Sequence, residues 1–180
     1  MNASQPSFLR RYWLLGVGLA AAAAGAGVAS WRLRPHAVTP QAGDELWRQR
    51  FVQPGGGELV MSEWRGRPLL VNFWATWCPP CIEELPMMEA FWREHASKGL
   101  QIVALAIDQP SSVRRFLERT PLSFPVGLAG MEGTQLAKSL GNATGGLPFS
   151  VFFAKDGGIS RQKLGQLKPE DLERWRAASV

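Results

Sequence analysis

The sequence predicts an α/β fold whose central sheet is covered on both faces, preceded by an apolar N-terminal helix. Three observations predict it. Strand-like and helix-like segments alternate from residue 44 onward. Two of the strand-like runs, Leu69–Trp74 and residues 100–108, are almost continuously apolar and β-rich, as strands buried on both faces are. The last two strand-like runs flank Asp156-Gly157-Gly158, a hairpin turn signal, and a helical pattern closes the chain.

Composition narrows the class. The chain has 180 residues, 46% hydrophobic and 19% charged, enough for one domain with a sizeable core and unlike a disordered chain. A formal charge of +5 raises nucleic-acid binding. Its placement argues against that. Arg10, Arg11, Arg32 and Arg34 are four of the twenty basic residues, and the remaining sixteen face fifteen acidic ones. No concentrated basic face is left for a phosphate backbone.

Those four arginines bracket Tyr12–Trp31, twenty residues without a charge. As a helix this stretch is about 30 Å long, the thickness of a bilayer's hydrocarbon layer. Tyr12, Trp13 and Trp31 sit at its ends, where amphipathic rings favour the membrane interface. The expectation is a basic cytoplasmic segment at 1–11 and a transmembrane anchor at 12–31, oriented N-in. A signal peptide cleaved near Ala24-Gly25-Ala26 or Val28-Ala29-Ser30 is the competing reading. Arg10-Arg11 with Leu14 loosely resembles a twin-arginine export signal, although a plain positive n-region accounts for it more simply. Either way the remainder of the chain is expected to be exported.

Residues 32–43 contain Pro35 and Pro40 without apolar periodicity and read as a linker carrying a solvated His36. The folded domain is expected over 44–180. Residues 44–52 read as a short helix or an irregular first strand, and Glu58–Met61 as a short strand after a glycine turn. Leu69–Trp74 is a central strand whose one polar member is Asn72. Ile82, Leu85, Met88 and Trp92 then recur at helical spacing, with Gly99 as a C-cap. Residues 100–108 form a second buried strand. A helix over 111–120, a short strand over 122–129 and a helix ending at Gly141 follow. Two strands around the Asp156 turn lead to a last helix, with Pro169 in its first turn and Glu170 and Asp171 favouring its dipole.

Both cysteines lie in "TWCPPC". A structural zinc site wants four ligands, and the histidines are His36 in the linker and His95, about 20 Å along the helix from Cys81. A staple closing so short a loop removes little entropy from the unfolded chain. A redox pair remains. At a strand-to-helix junction the first sulfur meets the helix N-terminus, which favours thiolate. Cys78 is therefore expected to be exposed and reactive, with Cys81 one turn inward to resolve a mixed disulfide.

The stretch "VNFWATWCPPCIEELP" resembles the active-site segment of thioredoxin-fold proteins. More narrowly it resembles the membrane-tethered, extracytoplasmic branch of TlpA, ResA and the cytochrome c maturation thioredoxins, whose WCxxCxxExP pattern is met by Trp77, Cys78, Cys81, Glu84 and Pro86. "GGLPFSVFF" puts Pro148 where that family has a cis-proline facing the CxxC. The resemblance implies a three-layer thioredoxin-like fold, a mixed sheet flanked by helices with a strand and helix inserted between Gly99 and Gly145. It implies Cys78 and Cys81 as the catalytic pair, supported by Trp77, Pro79, Pro80, Glu84 and Pro148. It also implies no metal and no cofactor beyond the redox-active Cys78–Cys81 disulfide. Pro86 is expected to bend the active-site helix. Trp77 is expected to shield the site. Glu84 is either a solvated surface charge or the group that accepts the proton of Cys81, since thioredoxin's buried aspartate is replaced here by Asn72, and an amide is no base.

The Pro79-Pro80 spacer carries neither charge nor backbone donor, so the pair is expected to be reducing. By resemblance the partners are protein clients with disulfides, apo-cytochrome c or copper-assembly proteins among them, and a membrane electron donor of the DsbD/CcdA type. The location implied is the bacterial inner membrane with the C-terminal domain in the periplasm. A disulfide oxidant or isomerase is the nearest alternative. A copper(I)-binding assembly factor of the same fold fits less well, because such carriers pair CxxxC with a distant histidine. A peroxidase of the peroxiredoxin group wants Thr or Ser where this chain has Ala75.

Overall fold

The computed structural model describes residues 40–177. The segments 1–11 and 12–31, and with them the expected anchor or signal helix, lie outside the described residues. Among the described residues no helix is long and apolar enough to cross a membrane.

Helix α1 (Pro40–Trp47) opens the fold, followed by β1 (Arg50–Val52) and β2 (Glu58–Val60). Residues 44–52 thus hold both a helix and a strand. The helix also starts inside the stretch read as linker, because Pro40 suits a first helical turn as well as it suits a linker. The two buried runs are β3 (Leu69–Trp74) and β4 (Gln101–Ala106), separated by α2 (Pro79–His95). Helix α2 continues through Pro86. A 3-10 turn, Ala96–Lys98, then leads to Gly99, whose φ of 98° supplies the left-handed cap. Next come α3 (Pro110–Arg119), β5 (Val126–Leu128) and α4 (Glu132–Ser139). The hairpin β6 (Phe149–Phe153) and β7 (Ile159–Leu164) and helix α5 (Pro169–Ala177) complete the order.

The strands form one seven-stranded sheet in the order β2-β1-β5-β4-β3-β6-β7. β3, β4 and β5 are parallel, whereas β6 is antiparallel to β3, and β7 to β6. Alternation along the strands divides the core into two layers. Leu70 and Trp74 of β3, Ile102 and Ala104 of β4 and Phe152 of β6 face α2, α3 and α5, represented there by Leu85, Phe116 and Leu172. Val71, Phe73, Val103, Leu105 and Val151 face α1 and α4, represented by Leu46 and Leu136. This is a thioredoxin-like three-layer α/β fold, with α3, β5 and α4 lying in the stretch between Gly99 and Gly145 where an inserted strand and helix are expected.

Helix α1 is fastened to the β6–β7 turn. The Trp47 indole N–H donates to the Gly157 carbonyl at 3.0 Å, and its ring meets Phe153 edge-on at 5.0 Å. Arg65 lies 5.8 Å over the same ring and pairs with Asp44.

Candidate active site

Four segments converge where β3 ends. The loop after β3 carries Thr76 and Trp77, and Cys78 is the N-cap of α2 in an extended conformation (φ −104°, ψ 100°). Pro79 and Pro80 occupy the first two helical positions, where proline's missing N–H is least costly. Cys81 follows one turn in and is joined to Cys78 by a disulfide, Cα–Cα 5.3 Å. The Leu147–Pro148 bond is cis, and Pro148 is buried at the start of β6, beside β3 in the sheet.

The loop is held by Asp108 at the end of β4. One carboxylate oxygen accepts the Thr76 N–H at 2.8 Å and its hydroxyl at 2.5 Å, while the other accepts the Gln109 N–H at 2.6 Å. The Ile107 N–H donates to the Trp74 carbonyl at 2.8 Å, which brings the two strand ends together.

The expectation of an exposed Cys78 is corrected. Cys78 is 4% exposed and Cys81 wholly buried, because the disulfide folds both sulfurs into the apolar layer with Trp74, Leu85 and Leu167. Cys78 remains the one of the two with a surface, between the exposed Trp77 and Pro79. Trp77 is 66% exposed and forms a wall of a groove of about 500 Å³ that Ile107, Met131 and Leu147 also line. Its ring flanks the site rather than filling the core.

Glu84 is no surface charge. It lies three residues beyond Cys81 on the same helix face and is 1% exposed. Its Oε1 accepts the Asn72 amide N–H at 2.7 Å and its Oε2 accepts the Leu167 N–H at 2.6 Å. The Asn72 amide also donates to the Ser150 hydroxyl at 3.0 Å, while Asn72 Oδ1 has no partner. Burial pushes the Glu84 carboxyl up to about 7, against the lowering pull of the Leu167 N–H, the Asn72 amide and the charge of Lys163. Sequence reasoning singled out Asn72 but missed Ser150, Asp108 and the Leu167 amide. Ser150 had the same signal as Asn72, a polar residue inside an otherwise apolar strand.

A redox-active CxxC at a strand-to-helix junction beside a cis-proline, on this fold, defines a thiol-disulfide oxidoreductase. The family model described as Redoxin matches residues 41–178. The thiol-disulfide oxidoreductase ResA of Bacillus thuringiensis subsp. konkukian is 31% identical over 67% of this chain and 68% of its own. ResA of Geobacillus kaustophilus is 32% identical over 66% of this chain and 67% of its own. A thiol:disulfide interchange protein of the thioredoxin family from Chlorobium tepidum superposes with a TM-score of 0.66 at 26% identity, covering 73% of this chain and 92% of its own. The chain belongs to the redoxin family, as a TlpA/ResA-type thioredoxin-like protein.

Proposed function

We propose that this oxidoreductase works as a dithiol reductase outside the cytoplasm, held at the bacterial inner membrane by Tyr12–Trp31 with its catalytic domain in the periplasm. The observation that carries the direction of electron flow is the N-terminus of α2. Pro79 and Pro80 contribute no N–H there, and the next two amides, of Cys81 and Ile82, are both turned to the Cys78 carbonyl at 3.1 Å. A helix start usually offers several free donors to a thiolate. Here the Cys78 thiolate would receive little of that stabilisation, so the dithiol is a strong electron donor.

In the reaction, the Cys78 thiolate attacks a client disulfide, forming a mixed disulfide and releasing one client thiolate. Cys81 gives its proton to the Glu84 carboxylate and attacks Cys78 Sγ, releasing the second client thiolate. The client gains two electrons and the Cys78–Cys81 disulfide forms. A carboxyl with a value near 7 is matched to that transfer at neutral pH. Trp77, exposed next to Cys78, and Pro148, which by resemblance faces the cysteine pair, are read as client-positioning residues. A membrane dithiol donor of the DsbD/CcdA type returns the electrons. By resemblance to its relatives the clients are apo-cytochrome c or copper-assembly proteins carrying disulfides.

Equilibration with glutathione tests the direction. The expected potential is near that of thioredoxin, about −270 mV, and a value near about −120 mV, typical of a strong oxidant, overturns the proposal.

A further inference from the structure

Glu84 is enclosed, yet a polar row leads from its partners to the edge of the sheet. Asn72, Ser150 and Lys163 are direct register partners on β3, β6 and β7. Residues so paired project from the same face of a sheet, here the face covered by α2 and α5. The row ends in an ion pair between Lys163, whose side chain is 28% exposed, and Asp171 in the first turn of α5. Asp171 also accepts the Lys168 N–H at 3.0 Å. The neighbouring amide, that of Leu167, is the one given to Glu84. One ion pair therefore braces the turn that faces the carboxyl and sets a positive charge at the outer end of the row.

We propose that Lys163 is a positioning residue for the redox reaction, favouring the ionised form of Glu84 from the sheet edge, and that Asp171 competes with Glu84 for its charge. The inference rests on Glu84 being the proton acceptor of Cys81. β3 and β6 contribute no charged side chain, as Asn72 and Ser150 are neutral. The charged groups on the surrounding elements are Lys163 on β7, Asp171 with its second partner Arg174 on α5, exposed Lys168 before that helix, and exposed Glu83 on α2. Lys163 is the cation that bears on Glu84. Where carboxylate and ammonium oppose each other, the ionised acid is favoured, and a second carboxylate on the same ammonium weakens the effect.

The test reads the Glu84 midpoint directly, by carbon-13 NMR of its side-chain carboxyl in the intact oxidised protein, assigned by its loss in Glu84→Gln. Lys163→Met is expected to raise the midpoint by roughly half a pH unit, Lys163→Arg to leave it in place, and Asp171→Asn to lower it. The opposite signs are the discriminating readout, because a merely structural brace would move both broken-pair variants the same way. An unchanged midpoint in Lys163→Met with the fold intact by circular dichroism, or Lys163→Met and Asp171→Asn shifting together, overturns the proposal. The pH profile of client reduction is expected to move with the midpoint in Lys163→Met. A profile that stays put while the midpoint moves counts against the Cys81–Glu84 transfer and leaves the electrostatic link standing.

Discussion

Glu84→Gln separates the cost of a buried carboxyl from everything else that titrates. In the folded protein Glu84 titrates near 7 against an ordinary value of 4.5, a gap of about 2.5 pH units that corresponds to roughly 3 kcal/mol. The sign follows from which state holds the proton. Below the ordinary value both states are protonated and Glu84 costs nothing. Between there and 7 the unfolded chain releases its proton while the folded one keeps it, so stability falls as pH rises. Above 7 the cost is complete. The glutamine cannot ionise, and Asn72 can turn its unpartnered Oδ1 toward the new amide, so the hydrogen-bond network has a way to survive. Glu89 and Asp171 titrate in both proteins and cancel in the difference. Urea unfolding of the oxidised proteins, followed by tryptophan fluorescence at about pH 4, 6 and 8, is expected to show the variant gaining roughly 3 kcal/mol on the parent from the lowest pH to the highest. Parallel stability profiles, or a difference that opens the other way, refute the reasoning.

Two further substitutions probe the surroundings. Trp77→Ala removes a ring that is 66% exposed, so thermal melting is expected to change by no more than about 0.5 kcal/mol, while kcat/KM for client peptides with apolar residues beside the cysteine falls roughly tenfold. A loss of stability without a loss of activity would make the ring a packing element. Partial burial raises the Glu89 carboxyl, but the Ser123 hydroxyl and N–H and the Arg93 guanidinium outweigh it and hold Glu89 below its ordinary value. Its contribution is therefore present above the ordinary value and lost as pH falls through the lowered one. Glu89→Ala, which strands the Ser123 N–H, is expected to cost about 1–3 kcal/mol near pH 7 and progressively less in acid, read by melting at both.

Much of the fold was legible because its signals are local. β3 and β4 are continuous apolar runs, and Gly99 and the Asp156 turn punctuate the chain where the backbone needs them. The cysteine pair, Glu84 and Pro148 stood in a recognisable pattern. What escaped depends on proximity in space. Asp108 after a strand reads as a solvated charge, and only the meeting of two strand ends makes it the anchor of Thr76. The burial of Cys78 depends on the disulfide and on packing against α2 and α5, neither of which has a periodicity. Lys163 lies on an edge strand whose five other residues are half-buried or exposed in a mixed pattern, so nothing in the sequence separates it from an ordinary surface lysine.

The attachment of α1 to the Gly157 turn has a mechanical consequence. β6 begins beside the cis-proline and ends at that turn, so the turn and the disulfide occupy opposite poles of the sheet. The fastening of α1 thus lies away from the sulfurs, and a pull on that fastening would be felt at the far end of β6 rather than at the reactive pair.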